Sequence, residues 1–209
     1  MTPTHLSVSR KYDFLSRFYD FIWRHYTQKT ISRAISLVRL KGNEKICDIG
    51  CGTGALEEAL FILHPSLSMD ACDISGRMVE RARKKLGEKD NLSFFVGDFL
   101  NFPFEKEGHD LLFSLSNFHY FKNPEAILKK GYDMIKPGGE FVLVDWCRDG
   151  IRAKAYRFYM KFFDKSFCHV YTIEEINTLL AKTGWKVERV ETFSIRCFWE
   201  MMAIRARRM

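Results

Sequence analysis

The sequence predicts an α/β protein built on a doubly wound parallel sheet, and three observations carry that prediction. Ile46 to Gly54 is a short apolar run closed by an acid and followed by three alternating glycines; Ala55 to Leu60 then opens a helix. This is the pattern of a buried strand, a tight loop and a helix start. Downstream, strand-like apolar runs keep alternating with helical patterns, as in a sheet whose strands are joined by crossover helices. Finally, Asp110-Leu111-Leu112-Phe113-Ser114-Leu115 is nearly continuous in apolar character, as a parallel strand covered on both faces should be.

The totals bound the answer. With 209 residues, 46% hydrophobic and 15% aromatic, the chain can bury a substantial core and reads as a single domain, 1–209. Its formal charge of +7 is dispersed among acids, which permits an anionic acceptor, an acidic membrane surface or RNA and selects none of them. Cys47, Cys51, Cys72, Cys147, Cys168 and Cys197 form no C-x-x-C pair and no zinc spacing with the histidines. Free thiols, no metal and a cytoplasmic setting are therefore expected. Met1 to Arg10 lacks the apolar segment of a signal peptide, and no uncharged apolar run is long enough to span a bilayer.

The glycine loop is the centre of the functional reading. Glycines accept backbone angles that other residues resist and let the chain approach a ligand closely, and the amides of the following helix favour a carboxylate or phosphate. Gly50, Gly52 and Ala55 satisfy the dinucleotide pattern G-x-G-x-x-A. The fuller pattern is Asp48-x-Gly50-x-Gly52-x-Gly54, and it resembles the first motif of class I S-adenosylmethionine-dependent methyltransferases. An acid there suits a cofactor with an ammonium and a sulfonium, where a dinucleotide carries an anionic pyrophosphate. The resemblance implies a Rossmann-like seven-stranded sheet ending in a C-terminal antiparallel strand pair, with an N-terminal helical lid. It also implies S-adenosylmethionine as cofactor and S-adenosylhomocysteine as product.

The elements follow in order. Val8 to Leu40 is rich in aromatic and basic residues, with apolar positions at helical spacing on more than one side. Tyr12 to Asp20 resembles the leading helix of small methyltransferases, including quinone-biosynthesis C-methyltransferases, which makes 1–42 a helical lid and Tyr12 and Tyr19 pocket candidates. Thr30 to Leu40 is expected as an amphipathic helix ended by the turn Lys41-Gly42-Asn43. The helix after the glycine loop should stop at His64-Pro65. Leu67 to Cys72 is the second strand, and Asp73 stands about where dinucleotide sites place their ribose-binding acid. Ser75 caps the helix Gly76 to Leu86. Asn91 to Val96 is the third strand, followed by Gly97-Asp98-Phe99.

By resemblance, Ile74 and Phe99 lie on the adenine faces and Asp98 accepts from its amino group. The full cofactor set the resemblance implies is Asp48, Gly50, Cys51, Gly52, Gly54, Asp73, Ile74, Met78, Asp98, Phe99 and Ser114 in the core 43–149. After the fourth strand, Ser116-Asn117-Phe118-His119-Tyr120 has no Pro-Pro, which argues against methylation of exocyclic base amines on DNA or RNA. His119 and Tyr120 are the candidates for a catalytic base. Asn123-Pro124 starts a helix, Pro137-Gly138-Gly139 turns into a fifth strand from Glu140 to Asp145, and Trp146 leaves that strand toward the acceptor side.

Gly150 to Val170 reads as an aromatic amphipathic helix, an acceptor cover that includes Tyr159. Within 171–209, Thr172 to Glu175 is a capping box, and Trp185 to Phe193 and Arg196 to Arg205 are two strands. The expected function is methyl transfer to a small-molecule acceptor by in-line displacement. The alternatives are a quinone or phospholipid methyltransferase in peripheral contact with an anionic membrane, an RNA methyltransferase, a thiol methyltransferase using Cys147 or Cys168, and a nicotinamide oxidoreductase.

Overall fold

The computed structural model describes residues 19–102, 104–149, 169–196 and 199–209. Seven strands form one sheet in the order β3-β2-β1-β4-β5-β7-β6. They are β1 (Lys45–Ile49), β2 (Ser68–Asp73), β3 (Leu92–Val96), β4 (His109–Leu115), β5 (Ile135–Trp146), β6 (Trp185–Ile195) and β7 (Trp199–Arg208). The first five pair in parallel; β7 runs antiparallel between β5 and β6. The expected doubly wound sheet and its antiparallel finish are both present. Chain order reverses between β1 and β4, so their carboxyl ends open the crevice where such sheets collect ligands.

Successive residues of the central strands are buried on opposite faces. Cys47, Ile49, Leu112, Phe141 and Leu143 pack against α4 (Pro124–Met134) and α5 (Ile173–Lys182). Ile46, Leu111, Phe113, Val142 and Val144 pack against α1 (Tyr19–Ser36) and α2 (Ala55–Leu63). Burial on both faces is why these strands lack a polar alternation. The remaining helix, α3 (Gly76–Leu86), starts where the Ser75 side chain accepts from Met78 N, at 3.2 Å. Asn123 caps α4 in the same way, and Thr172 with Glu175 forms the full capping box of α5. Each such cap is worth about 1 kcal/mol.

Three boundaries differ from the sequence reading. A single helix runs from Tyr19 to Ser36, because no glycine or proline interrupts it and Thr30 Oγ1 is satisfied by Tyr26 O at 3.0 Å. Strand β5 begins before the Pro137-Gly138-Gly139 turn: Ile135 pairs with His109 and Glu140 with Leu111, so the turn is a bulge within the strand. A Cβ at Gly139 would meet Asp110 O at 2.7 Å, so only glycine fits that bulge. Strand β6 runs two residues further than expected, to Ile195, and β7 begins three residues later, at Trp199, and continues to Arg208, with Arg196 at φ 52° after β6. Arg205 and Arg207 pair with Glu140 and Glu188 on the neighbouring strands, at 2.8–3.8 Å.

Candidate active site

The carboxyl ends of β1, β2, β3 and β4 enclose a cleft of about 840 Å³ of empty space, part of it open to solvent. The glycine loop is its floor. Gly50, Gly52 and Gly54 all have positive φ, at 74°, 55° and 77°. Their reasons differ. A Cβ at Gly50 would lie 2.1 Å from Asn117 Nδ2, since Asn117 reaches across to donate to Ile49 O. At Gly54 it would press on Ala82 and Leu86 of α3. At Gly52 nothing stands within 4 Å, because that Cα faces the cleft.

Asp73 closes the loop against β2. Its Oδ2 accepts from Gly52 N at 2.9 Å and its Oδ1 from Ser75 N at 2.8 Å, so one carboxylate positions both the glycine loop and the start of α3. Ile74, Met78, Gly97, Asp98 and Phe99 line the same cleft, as do Leu115, Ser116, Asn117, Tyr120 and Phe121 from the β4 side. Asp98 also caps the short 3-10 turn that carries Phe99, accepting from Leu100 N at 3.0 Å. The ionisable lining is acidic, Asp73 and Asp98, with no basic side chain among the described residues of the cleft. That electrostatic character suits a cation and opposes a pyrophosphate.

A second, smaller cavity adjoins the first and shares Gly50, Gly52, Leu115 and Ser116 with it. It is roofed by Tyr26, Thr27, Thr30 and Ile31 of α1 and floored by Asp48, Cys51 and Thr53. Helix α1 is pinned here at two points. Thr53 Oγ1 donates to Asp20 Oδ1 at 2.5 Å, and the Tyr26 hydroxyl bonds Ser116 Oγ at 2.8 Å while accepting from Trp146 Nε1 at 2.9 Å.

The structure therefore brings Gly50, Gly52, Asp73, Ile74, Met78, Asp98, Phe99, Asn117 and Tyr120 together around the main cleft, with Asp48 and Cys51 around its neighbour. Gly54 lines neither cavity and serves loop and helix packing. Ser114 is fully buried and donates to Asn117 Oδ1 at 2.5 Å, which places it behind the lining. Tyr12, Tyr159 and Cys168 lie outside the described residues, as does 150–168 of the expected cover helix 150–170, whose last two residues, His169 and Val170, are not helical; of Tyr19 only the backbone is described.

His119 does not line the cleft. It is 2% exposed, its Nδ1 bonds Asp145 Oδ1 at 2.7 Å, and its backbone N–H donates to Asp145 Oδ2 at 3.1 Å. Its ring stacks on Trp146 at 4.2 Å and touches Tyr120 at 4.1 Å. Asp145 also accepts from Trp146 N at 2.7 Å. One carboxylate thus fixes His119 and Trp146, and Tyr120, packed on the His119 ring, reaches the cleft. Cys147 is buried and its thiol is pushed up to about 11 by that burial, which leaves it a poor nucleophile.

Sequence reasoning missed Tyr26, Leu115, Ser116 and Phe121 as parts of the site.

Residues 46–139 match the model of the family described as "Methyltransferase domain". Among curated relatives, the malonyl-[acyl-carrier protein] O-methyltransferase 2 of Ilyobacter polytropus is 30% identical over 145 residues, which span 68% of this chain and 54% of that protein. The demethylmenaquinone methyltransferase of Thermotoga maritima is 28% identical over 157 residues, spanning 74% and 66%. The chain thus spans about half the length of the first relative and under two thirds of several others. A Haloferax volcanii methyltransferase solved with the Trm112 methyltransferase activator superposes with a TM-score of 0.83 over 97% of this chain and 98% of that one, at 19% identity. Residues 46–139 are thus similar to a methyltransferase domain, and the chain has the seven-stranded fold of solved methyltransferases.

Proposed function

We propose that this protein binds S-adenosylmethionine in the paired cavities and transfers its methyl group to a small-molecule acceptor. The observation that carries the reading is the acidic, base-free cleft at the switch point between β1 and β4, with a third carboxylate, Asp48, in the cavity next door. A nicotinamide dinucleotide would also set its ribose beside Asp73, but its pyrophosphate would then lie on the glycine loop toward the Asp48 carboxyl, with no cation among the described residues lining either cavity to meet it.

In this reading Asp73, Ile74, Asp98 and Phe99 would hold the adenosine, with the Asp73 carboxylate as the ribose ligand, and Asp48 would hold the amino-acid end. Ser116, Asn117 and Tyr120 would line the entry of the acceptor. The cofactor supplies an activated methyl carbon; the acceptor atom attacks in line with the departing sulfur. What the chain supplies is alignment and exclusion of water, and such positioning can contribute an effective molarity of roughly 10⁵ M or more. Tyr120 is the candidate catalytic residue. His119 and Asp145 are positioning residues that hold Tyr120 and Trp146 in place.

The lining contributed by Leu115, Tyr120 and Phe121 favours an acceptor with an apolar or aromatic body. A quinone is a specific second reading, supported by the Thermotoga maritima relative and by Phe21 and Ile22, which stand 87% and 58% exposed on α1. Both readings are tested by incubating the protein with methyl-labelled S-adenosylmethionine and a panel of acyl carboxylates, phenols and demethylated quinones, with and without anionic vesicles. Labelled product with stoichiometric S-adenosylhomocysteine is the expected result. Cofactor binding without transfer to any acceptor would leave a cofactor-binding protein and overturn the enzymatic reading.

A further inference from the structure

Behind the glycine loop lies a pair of carboxyl groups that no hydrogen bond in the fold accounts for. Asp48 is the penultimate residue of β1 and Glu57 lies in the first turn of α2; they are 3% and 0% exposed. Asp48 Oδ1 and both Glu57 oxygens are buried with no hydrogen-bond donor among the described residues. The two side chains face each other closely enough to bond, which two acceptors can do only with a proton between them. Asp48 also lines the cavity under α1 that joins the main cleft.

The surroundings offer no compensating cation in contact. Asp73 faces the pair from the end of β2, and the thiols of Cys47, Cys51 and Cys72 add no positive charge. From α3 the nearest cation is Lys85, whose Nζ is held by Asp20 of α1 at 2.8 Å and Glu58 of α2 at 3.9 Å. Tyr26 is the ionisable group that α1 presents to the same cavity, and its hydroxyl is engaged by Trp146 and Ser116. Two buried like charges cannot both persist without a counter-ion.

From this arrangement we infer that Asp48 and Glu57 are both protonated in the empty protein at acid pH and release one of their two protons when the cofactor's cationic amino-acid end enters the adjoining cavity, so that cofactor affinity is linked to pH through Glu57. The inference rests on the cofactor reading above and adds to it a residue, Glu57, and a proton. Burial raises the Glu57 carboxyl to about 7 against the opposing hydrogen bond from Asp48, and burial with Glu57 beside it pushes Asp48 well upward, which places the linkage near neutrality. A ligand ammonium is the missing counter-ion: once it lies beside Asp48, the singly ionised pair, bridged by its remaining proton, is favoured and the other proton leaves. The proton passes to buffer, and no other group changes charge. Because the ligand prefers the singly ionised pair, affinity rises with pH up to the pair's own titration and is flat above it.

The test is calorimetric titration with S-adenosylhomocysteine between about pH 5.5 and about pH 7.0, where the ligand's α-ammonium stays charged. It is run in two buffers of different ionisation heat, on the wild type, Glu57→Gln and Asp48→Asn. The wild type should bind more tightly as pH rises, by up to tenfold per pH unit, and release close to one proton at acid pH. Glu57→Gln should bind with little pH dependence and no proton release, and at about pH 5.5 more tightly than the wild type. Asp48→Asn, lacking the other half of the pair, should also release none, which keeps the test decisive if one variant fails to fold. Binding without proton release by the wild type, or unchanged release in a folded variant, overturns the inference and leaves the cofactor reading intact. Absence of binding by the wild type at every pH overturns the cofactor reading itself.

Discussion

The two halves of the site are built by different means. The cofactor half, from β1 to β3, uses short-range devices: glycines at fixed φ, an acid at a strand end, and caps that accept from amides two or three residues away. The acceptor half, from β4 to β5, uses long-range ones. Tyr26 reaches Ser116 and Trp146, His119 reaches Asp145, and Asn117 reaches Ile49. Backbone geometry dictates the first half whatever else the chain does. The second exists only once distant segments are folded together, so its side chains can vary while the scaffold remains.

That contrast orders the expected effects of mutation. The largest belongs to Gly50→Ala. Its Cβ would stand 2.1 Å from Asn117 Nδ2 at a φ of 74°, so the loop and the Asn117 bridge must both shift. Cofactor affinity should fall by roughly 100-fold or more by calorimetry, equivalent to about 3 kcal/mol. Next is Asp73→Ala, which strips the Gly52 and Ser75 amides of their acceptor as well as the ribose of its ligand. A loss of about tenfold to 100-fold in affinity and about 2 kcal/mol in chemical-denaturation stability is expected. Full affinity in either variant would break the distinction.

Asp145→Ala probes the other half. It leaves His119 Nδ1 and two backbone amides without their acceptor, all in a buried setting. Turnover should drop about tenfold or more and stability by about 1–3 kcal/mol, while cofactor Kd stays within about twofold. An equal loss of cofactor affinity would show that the halves are not separable.

The smallest effect expected is on stability. The Glu57 carboxyl is raised in the folded protein above its ordinary value. Protonation therefore favours the folded state: the contribution is complete below the unfolded carboxyl pKa, near 4.3, and is lost as pH rises through about 7. Glu57→Gln should remove that loss and stabilise the unliganded protein at alkaline pH by about 2 kcal/mol, with little change at acid pH. Urea melts at both ends of the range read it.

How much of this was legible in the sequence follows the same division. The doubly wound sheet, the caps at Ser75, Asn123 and Thr172, and the placing of Gly52 and Asp73 could be anticipated, because each depends on local pattern or on a strand end; the antiparallel finish and the part of Asp98 and Phe99 came only from the family resemblance. The bulge at Pro137-Gly138-Gly139 read as the start of a strand, because a turn signal does not show whether pairing resumes on both sides. His119 read as a loop histidine free to act as a base; its burial against Asp145 and Trp146 depends on residues 26 positions away. Glu57 read as a helix-start acid, since nothing in the sequence shows that its side chain turns inward to Asp48.

The most direct test of the central claim is calorimetric titration of the purified protein with S-adenosylhomocysteine and, separately, NADH, repeated on Asp73→Ala. The acidic cleft predicts saturable single-site binding of S-adenosylhomocysteine, weakened at least about tenfold by the substitution, with no binding of NADH. Saturable binding of NADH together with indifference to S-adenosylhomocysteine would contradict it.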